Sequence, residues 1–232
     1  MIGGIDFTNL GAAVLELAQR LIIVLIALTF HEVAHGWVAM KLGDDTASSR
    51  GRLSLNPIHH LDPIGFLCMV FFRFGWAKPV PINVRRFKNP KLGMAICGLA
   101  GPIANLLLAF IILLPYHVMV ALVYHGIWSL ESQFAANLIK AAVDFIAQFH
   151  YMNVTLAIFN FIPVPPLDGS RVLWSILPDK IYFGVMKYER YISMAIMLLL
   201  LLGVFDYPLT MAANAVSDTM LIAWEIIPFF GA

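Results

Sequence analysis

Charged residues are scarce in this sequence. Only 12% of its 232 residues are Asp, Glu, Lys or Arg, whereas 60% are hydrophobic. A soluble domain carries about 25% charged residues, so this composition excludes an ordinary soluble protein and predicts a membrane protein. The formal net charge is only +1. Because nucleic-acid binding requires a basic face that neutralises phosphates, we expect no nucleic-acid partner.

Cysteine is equally scarce. Cys68 and Cys97 are the only two cysteines, and each is isolated in apolar sequence. Their spacing excludes a disulfide framework or a zinc knuckle and predicts that both are buried packing residues. The N-terminus also lacks a basic segment and a small-residue cleavage site, so we expect the first helix to remain in the mature protein.

Long apolar runs predict an all-α multi-pass membrane protein with five or six transmembrane helices. In the first helix, the stretch from Arg20 to Lys41 rises about 31 Å, roughly the thickness of the hydrocarbon core. In the second, Gly98, Ala100, Gly101, Ala104 and Ala109 form a small-residue face for close packing. The predicted helices cover residues 10–42, 92–124 and 135–162, followed by a helical hairpin of 191–205 and 209–230.

The region between the first two helices, 43–91, has a different pattern. Residues 52–55 and 76–83 alternate as strands do, which predicts a small β-hairpin. Pro79 and Pro81 remove donors from one edge of the second strand, so it can pair well on one side only. Residues 64–72 are apolar but too short to cross a bilayer, which leaves 61–75 open to either a span or a re-entrant segment.

The basic residues are unevenly distributed. Of the 15 Lys and Arg, nine lie in 41–91 and four in 171–190. Cytosolic segments carry the excess of Lys and Arg, so both regions are predicted to be cytosolic. The first helix then ends on the same side of the membrane as the third, which brings the two ends to a similar depth.

The most informative motif is His31-Glu32-Val33-Ala34-His35, inside the first helix. Residues i and i+4 lie on one helix face, so His31 and His35 can direct their rings at one metal ion. Ionisable residues at bilayer depth are functional candidates by default. A catalytic zinc ion needs a third protein ligand and an open position for water, whose proton Glu32 can accept.

A carboxylate follows the third helix, where Pro163, Pro165 and Pro166 prevent helical continuation. Asp168 is the only carboxylate between Asp144 and Asp179, and its oxygen can complete a site with two histidines. Alternatively, Asp168-Gly169 is an interfacial turn in which the aspartate caps a following helix.

Together the two motifs resemble the site-2 protease family, whose members are membrane-embedded zinc metalloproteases that cut transmembrane helices. The resemblance rests on His31 to His35 and on the Asn160, Pro163, Pro165 and Asp168-Gly169 pattern. It also includes two segments, Gly101-Pro102-Ile103-Ala104-Asn105, interpreted as a turn into the second helix, and Gly75-Trp76-Ala77-Lys78-Pro79.

The resemblance implies roles for individual residues. His31, His35 and Asp168 are the ligands of one Zn²⁺ per chain, Glu32 is the general base, and Asn160 helps bind the oxyanion, unless Asn160 is an interhelical polar clamp. Asn105, His59 and His60 are candidates for the shell around the ligands. In this family the segment corresponding to 76–83 receives the unwound substrate as an added strand, which implies substrate contacts at Trp76, Lys78, Val80 and Ile82.

The chain resembles a minimal family member without a PDZ or cystathionine-β-synthase-type domain. Its predicted organisation is a metalloprotease core of residues 1–175 and a C-terminal helical hairpin of 176–232. The expected partners are a transmembrane protein or peptide substrate and membrane lipid. We expect the inner membrane of a prokaryotic cell, with the active site towards the cytosol. The competing hypotheses are a membrane metal-binding or transport protein without hydrolytic activity and an interaction subunit with a degenerate site.

Overall fold

The computed structural model describes residues 10–72, 76–128, 132–178, 180–181, 184 and 187–227. In this part of the chain the regular structure is helical, and short 3₁₀ turns at Pro57–His60 and Val84–Arg86 interrupt the loops. The α-helices are α1 (Leu10–Lys41), α2 (Thr46–Ser49), α3 (Pro63–Phe72), α4 (Pro90–Ile111), α5 (Leu113–Tyr124), α6 (Gln133–Phe161), α7 (Asp168–Ile176), α8 (Glu189–Leu201) and α9 (Asp206–Glu225).

Helix α4 is central and packs against α1, α6 and α7. Four members of its predicted small-residue face are buried, and only Ala104 is half-buried. Gly98 faces α7 and Gly101 faces the imidazoles of α1. Small residues allow helices to approach closely in an apolar environment, where packing rather than hydrophobic exclusion drives their association. The predicted close-packing face is therefore confirmed. It allows α1, α6 and α7 to pack closely against α4.

The predicted boundaries of the long helices are close to the observed ones, with one difference. The second helix is divided at Ile112 into α4 and α5. Pro115 lies three residues further on and has no N–H to donate to the Ile111 carbonyl, which weakens the helix at this point. The segment 101–105 does not form a turn. It lies inside α4, with Pro102 within the helix.

The β-hairpin predicted for 43–91 is not confirmed. In the part of this region that the structure describes, β pairing is limited to one antiparallel bridge between Leu61 and Ala77. Pro79 and Pro81 cannot donate, and the Val80 N–H is used by a side chain instead of a strand. Residues 63–72 form α3, whose ten residues are too few to cross a bilayer. Residues 73–75, which include Gly75 of the family pattern, lie outside the described residues.

Two segments are long and apolar enough to cross a membrane, judged by length and composition over the described residues: Ala13–Lys41 and Pro90–Tyr124. Helix α6 has a similar length of 29 residues, but it carries Lys140 and Asp144. The third span and the closing hairpin therefore stay predictions. Residues 228–230 of that hairpin lie outside the described part of the chain. Of the two cysteines, Cys97 is buried as predicted, whereas Cys68 is only half-buried.

Asp44 joins the end of α1 to the segment that leads into α4. It is fully buried, and its carboxylate accepts hydrogen bonds from the N–H and hydroxyl groups of Thr46. It also accepts one from the Asn83 N–H at 2.6 Å. Burial alone would raise the pKa of Asp44, but these hydrogen bonds and the nearby Arg86 favour the charged form and hold the pKa below its ordinary value.

This lowered pKa predicts acid sensitivity. The Asp44 carboxylate stabilises the folded state at pH values above its ordinary pKa of about 3.9, and this contribution is lost as the pH falls through the lower folded-state pKa. In thermal unfolding of the detergent-solubilised protein, Asp44→Asn should lower the Tm at pH 7, and the difference from wild type should shrink on acidification. Asp45→Asn is the control, because Asp45 makes an exposed ion pair with Arg86. An Asp44→Asn difference that is independent of pH would contradict the assignment.

Candidate metal centre

Helix α1 presents two imidazoles on one buried face. His31 and His35 are 5% and 4% exposed, and their Nε2 atoms are 3.0 Å apart. The rings are nearly perpendicular, with centroids 4.6 Å apart. The spacing of i and i+4 on a helix accounts for this convergence, as the sequence predicted.

Asp168, the first residue of α7, completes the group. Its Oδ2 lies 3.0 Å from Nε2 of His31 and 3.1 Å from Nε2 of His35. All three side chains are buried, and their ligand atoms lie close enough together to hold one metal ion. The aspartate is at a helix start, as the alternative interpretation had it, and its Oδ2 faces the two imidazoles.

The other ring nitrogens fix the histidine tautomers. Nδ1 of His31 lies 2.7 Å from Oδ1 of Asn105, and Nδ1 of His35 lies 2.6 Å from the carbonyl oxygen of Cys97. Both partners are acceptors, so both Nδ1 atoms carry the proton and both Nε2 lone pairs point into the site. Such hydrogen bonds orient metal-binding imidazoles and make them stronger ligands.

A buried amide network supports His31. The Asn105 amide nitrogen donates to the Ala27 carbonyl at 3.1 Å and to Oδ1 of Asn153 at 2.8 Å. Asn105 and Asn153 are both fully buried. Asn105 was predicted as a candidate for the shell around the ligands, whereas Asn153 had no predicted role. A polar side chain in the apolar part of α6, two helical turns before Asn160, was the available signal.

Two glycines permit the close approach of the helices. A Cβ atom on Gly101 would lie 2.5 Å from both His31 Cε1 and His35 Nε2. One on Gly169 would lie 2.2 Å from the Phe161 carbonyl oxygen. Glycine is thus required where α4 covers the imidazoles and where α7 turns back onto the end of α6. Both glycines belong to the motifs that carry the family resemblance.

Arg171 adds a positive charge beside the aspartate. Its guanidinium lies 3.3 Å from Oδ1 of Asp168, one turn along α7. The two carboxylate oxygens therefore have different partners, because Oδ1 faces Arg171 while Oδ2 faces the imidazoles. This division leaves Oδ2 available to a metal ion. Arg171 had no predicted role in the site.

Glu32 lies beside the ligand group on α1 and is half-buried. Its Oε2 accepts a hydrogen bond from the backbone N–H of Val80 at 2.8 Å. Val80 is one of the predicted substrate contacts, and its N–H is engaged by the predicted general base.

The hydrogen bonds that Asn160, His60 and Lys78 form go to backbone carbonyls outside the ligand group. The Asn160 amide donates to the Leu156 carbonyl of its own helix at 2.9 Å. His60 is buried, but its Nε2 bonds the Ser54 carbonyl, and His59 is exposed. Of the substrate segment, Trp76 and Lys78 are exposed and Ile82 is half-buried. The Lys78 N–H donates to the His60 carbonyl.

The donor set fits zinc. Ligand atoms of a tetrahedral zinc ion with bonds of about 2.0 to 2.2 Å lie about 3.3 to 3.6 Å apart. The three donor separations here are 3.0, 3.0 and 3.1 Å, so small outward shifts would accommodate the ion. Two imidazole lone pairs and a carboxylate oxygen directed at one point repel each other unless a cation lies between them. Three protein ligands also leave a fourth position for water.

Comparison with known proteins agrees with this chemistry. The chain is 38% identical to "Putative zinc metalloprotease YwhC" of Bacillus subtilis over 214 residues, which cover 92% of this chain and 94% of that protein. It is 27% identical to "Putative zinc metalloprotease Rip2" of Mycobacterium tuberculosis over 153 residues, 64% of this chain and 53% of that protein. It is 26% identical to "Zinc metalloprotease MJ0392" of Methanocaldococcus jannaschii over 173 residues, 75% of this chain and 38% of that protein.

No solved structure matches the fold significantly. The sequence model of peptidase family M50, the family of the site-2 proteases, matches residues 19–204. This match contains the whole ligand group and its hydrogen-bonded supports, and the metal is Zn²⁺. With most of its length matched, the chain belongs to peptidase family M50.

Proposed function

We propose that this protein is a zinc-dependent endopeptidase that cleaves transmembrane segments of other membrane proteins within the bilayer. The observation that carries the proposal is the convergence of His31, His35 and Asp168 at one buried point, beside Glu32. Two of these ligands and the glutamate lie on α1, which is long and apolar enough to span a membrane. Family membership supports the peptidase chemistry, and the length and apolar composition of α1 support an intramembrane substrate.

Each side chain has a defined task in this proposal. When bound, zinc polarises the scissile carbonyl and lowers the pKa of water to about 7. His31, His35 and Asp168 hold the ion, and Asn105 and the Cys97 carbonyl keep both imidazoles in the ligating tautomer. Glu32 accepts the proton of the attacking water and then delivers it to the leaving amide nitrogen. Asn160 donates a hydrogen bond to the oxyanion after its amide rotates away from Leu156.

The substrate approaches near residues 76–83. The N–H groups of Lys78 and Val80 are already engaged inside the protein, and Pro79 and Pro81 have none. Contacts with the substrate at Lys78 and Val80 would therefore use side chains and carbonyl oxygens, and Trp76 and Ile82 complete the proposed contact segment. We place the multi-pass protein in the inner membrane of a prokaryotic cell, and the excess of Lys and Arg in 41–91 and 171–190 supports an orientation with this side facing the cytosol.

Cleavage of a transmembrane peptide tests the function. Protein purified in detergent micelles and loaded with one equivalent of zinc is incubated with a peptide labelled at both ends, and the products are identified by mass spectrometry. We expect internal cleavage that stops on chelation and returns with zinc. Zinc binding without cleavage of any member of a panel of transmembrane peptides would favour the metal-binding or transport alternative.

A further inference from the structure

Residues 77–83, which we call the strap, cross the surface of α1 next to the metal centre. The strap is attached at both ends. At its start, Ala77 pairs with Leu61 in the antiparallel bridge, and the Lys78 N–H donates to the His60 carbonyl at 2.8 Å. At its end, the Asn83 N–H donates to the buried Asp44 at 2.6 Å.

Further contacts stiffen the strap between these attachments. The Arg52 guanidinium donates to the Lys78 carbonyl at 2.8 Å. Pro79 and Pro81 have fixed φ angles and restrict the residues before them to extended conformations. Fewer conformations are therefore available to the middle of the strap than to an ordinary loop. Such a segment can hold a group in place at low entropic cost.

The middle of the strap lies directly against α1. Val80 is 7% exposed. A Cβ atom on Gly36 would lie 3.0 Å from Val80 Cγ1 and 2.7 Å from Leu53 Cδ2. Gly36 and Glu32 are four residues apart and so share a helix face. The absence of a side chain at Gly36 thus lets the strap approach closely enough for the Val80 N–H to reach Glu32.

We propose that the backbone N–H of Val80 is a positioning group for Glu32, holding the carboxylate in one orientation for proton transfer. The proposal rests on the function proposed above and adds a residue to it. Oε2 accepts the Val80 hydrogen bond at 2.8 Å, so Oε1 is the oxygen that takes the proton. A glutamate side chain has three rotatable bonds, and a fixed donor at Oε2 removes most of that freedom before the substrate binds.

The kinetic test compares Val80→Pro with Val80→Ala. Proline removes the N–H, and its φ suits an extended segment between two prolines. Alanine keeps the N–H and removes two methyl groups. We expect Val80→Pro to lower kcat about tenfold, with KM and zinc content close to those of Val80→Ala, because misplacing a catalytic group affects the chemical step. A wild-type or raised kcat in Val80→Pro would overturn the proposal. A raised kcat would show that the contact with Val80 hinders proton transfer by Glu32.

Hydrogen–deuterium exchange supplies a second readout that does not depend on activity. In a peptic fragment covering the strap, prolines contribute no amide, so few exchanging sites remain and the Val80 amide is a large share of them. Glu32→Ala removes the acceptor and should add one fast-exchanging amide to this fragment. Glu32→Gln keeps an acceptor oxygen and should leave the exchange near that of wild type. Identical exchange in Glu32→Ala and wild type would overturn the proposal even if Val80→Pro fails to fold.

The same variants separate this inference from the proposed function. If Glu32→Gln cleaves as fast as wild type, the proposed function loses its general base, whatever the exchange data show. If Glu32→Gln is inactive while Val80→Pro has full activity, the endopeptidase proposal stands and only the positioning role fails.

Discussion

Glu32→Gln is expected to bind zinc as wild type does and to cleave a transmembrane peptide at least about 100-fold more slowly, since general-base catalysis contributes about 10² to 10⁴. Glutamine preserves the size of the side chain and the oxygen that accepts the Val80 N–H, but it cannot accept a proton. The three ligand side chains are unchanged in this variant. Zinc is measured by elemental analysis, and cleavage by product formation under single-turnover conditions.

Glu16→Gln is the matched control for this experiment. Glu16 is on the same helix and interacts with Arg20, four turns before the metal centre. The identical chemical change at this position should leave both zinc content and cleavage near those of wild type. Cleavage by Glu32→Gln at the wild-type rate would show that another group is the base. Loss of zinc in Glu32→Gln would show instead that the glutamate helps to hold the ion.

Asp168→Ala is expected to have the largest effect on zinc affinity. The substitution removes one of three ligand atoms and leaves two buried imidazoles, with Arg171 no longer compensated. Loss of a supporting residue around a metal site costs about 10 to 100-fold in affinity, so the loss of a ligand should exceed the upper value. Competition with a chromogenic chelator measures the dissociation constant.

Asp144→Ala controls for the removal of an acidic residue. Asp144 is exposed on α6, and its replacement should not alter zinc affinity. A histidine in place of Asp168 should recover part of the affinity, because imidazole nitrogen is also a zinc ligand. Unchanged zinc affinity in Asp168→Ala would show that Asp168 is not a zinc ligand. It would then follow that the metal ion does not link α7 to α1.

Local sequence patterns predicted some features well because they depend on regular helical geometry. The bounds of α1 and α6 follow from apolar runs and from the residues that end them. The convergence of His31 and His35 follows from a spacing of four residues. The close-packed face of α4 follows from its small residues. Each of these depends on neighbouring positions in one helix.

The predicted β-hairpin shows where local patterns were misleading. Residues 76–83 alternate as a strand does, yet the N–H groups of Val80 and Asn83 donate to the side chains of Glu32 and Asp44 and not to a second strand. The competing partners come from distant parts of the chain, so alternation alone could not reveal them. The amide network is a similar case, because Asn153 receives a hydrogen bond from Asn105 across 48 positions of the chain, and no local motif marked Asn153.

By itself, the sequence determined the membrane character, the two histidines with their neighbouring glutamate, and the candidacy of Asp168. These features could be predicted because composition and helical periodicity can be recognised in short stretches of sequence. Only the tertiary structure decided that Asp168 meets His31 across 137 positions of the chain, that Asn105 and Asn153 support the imidazole, and that Val80 contacts Glu32. Those contacts depend on how α1, α4, α6 and α7 pack. Gly101 and Gly169 permit the helices to approach closely, but a glycine in the sequence does not indicate which helix it will contact.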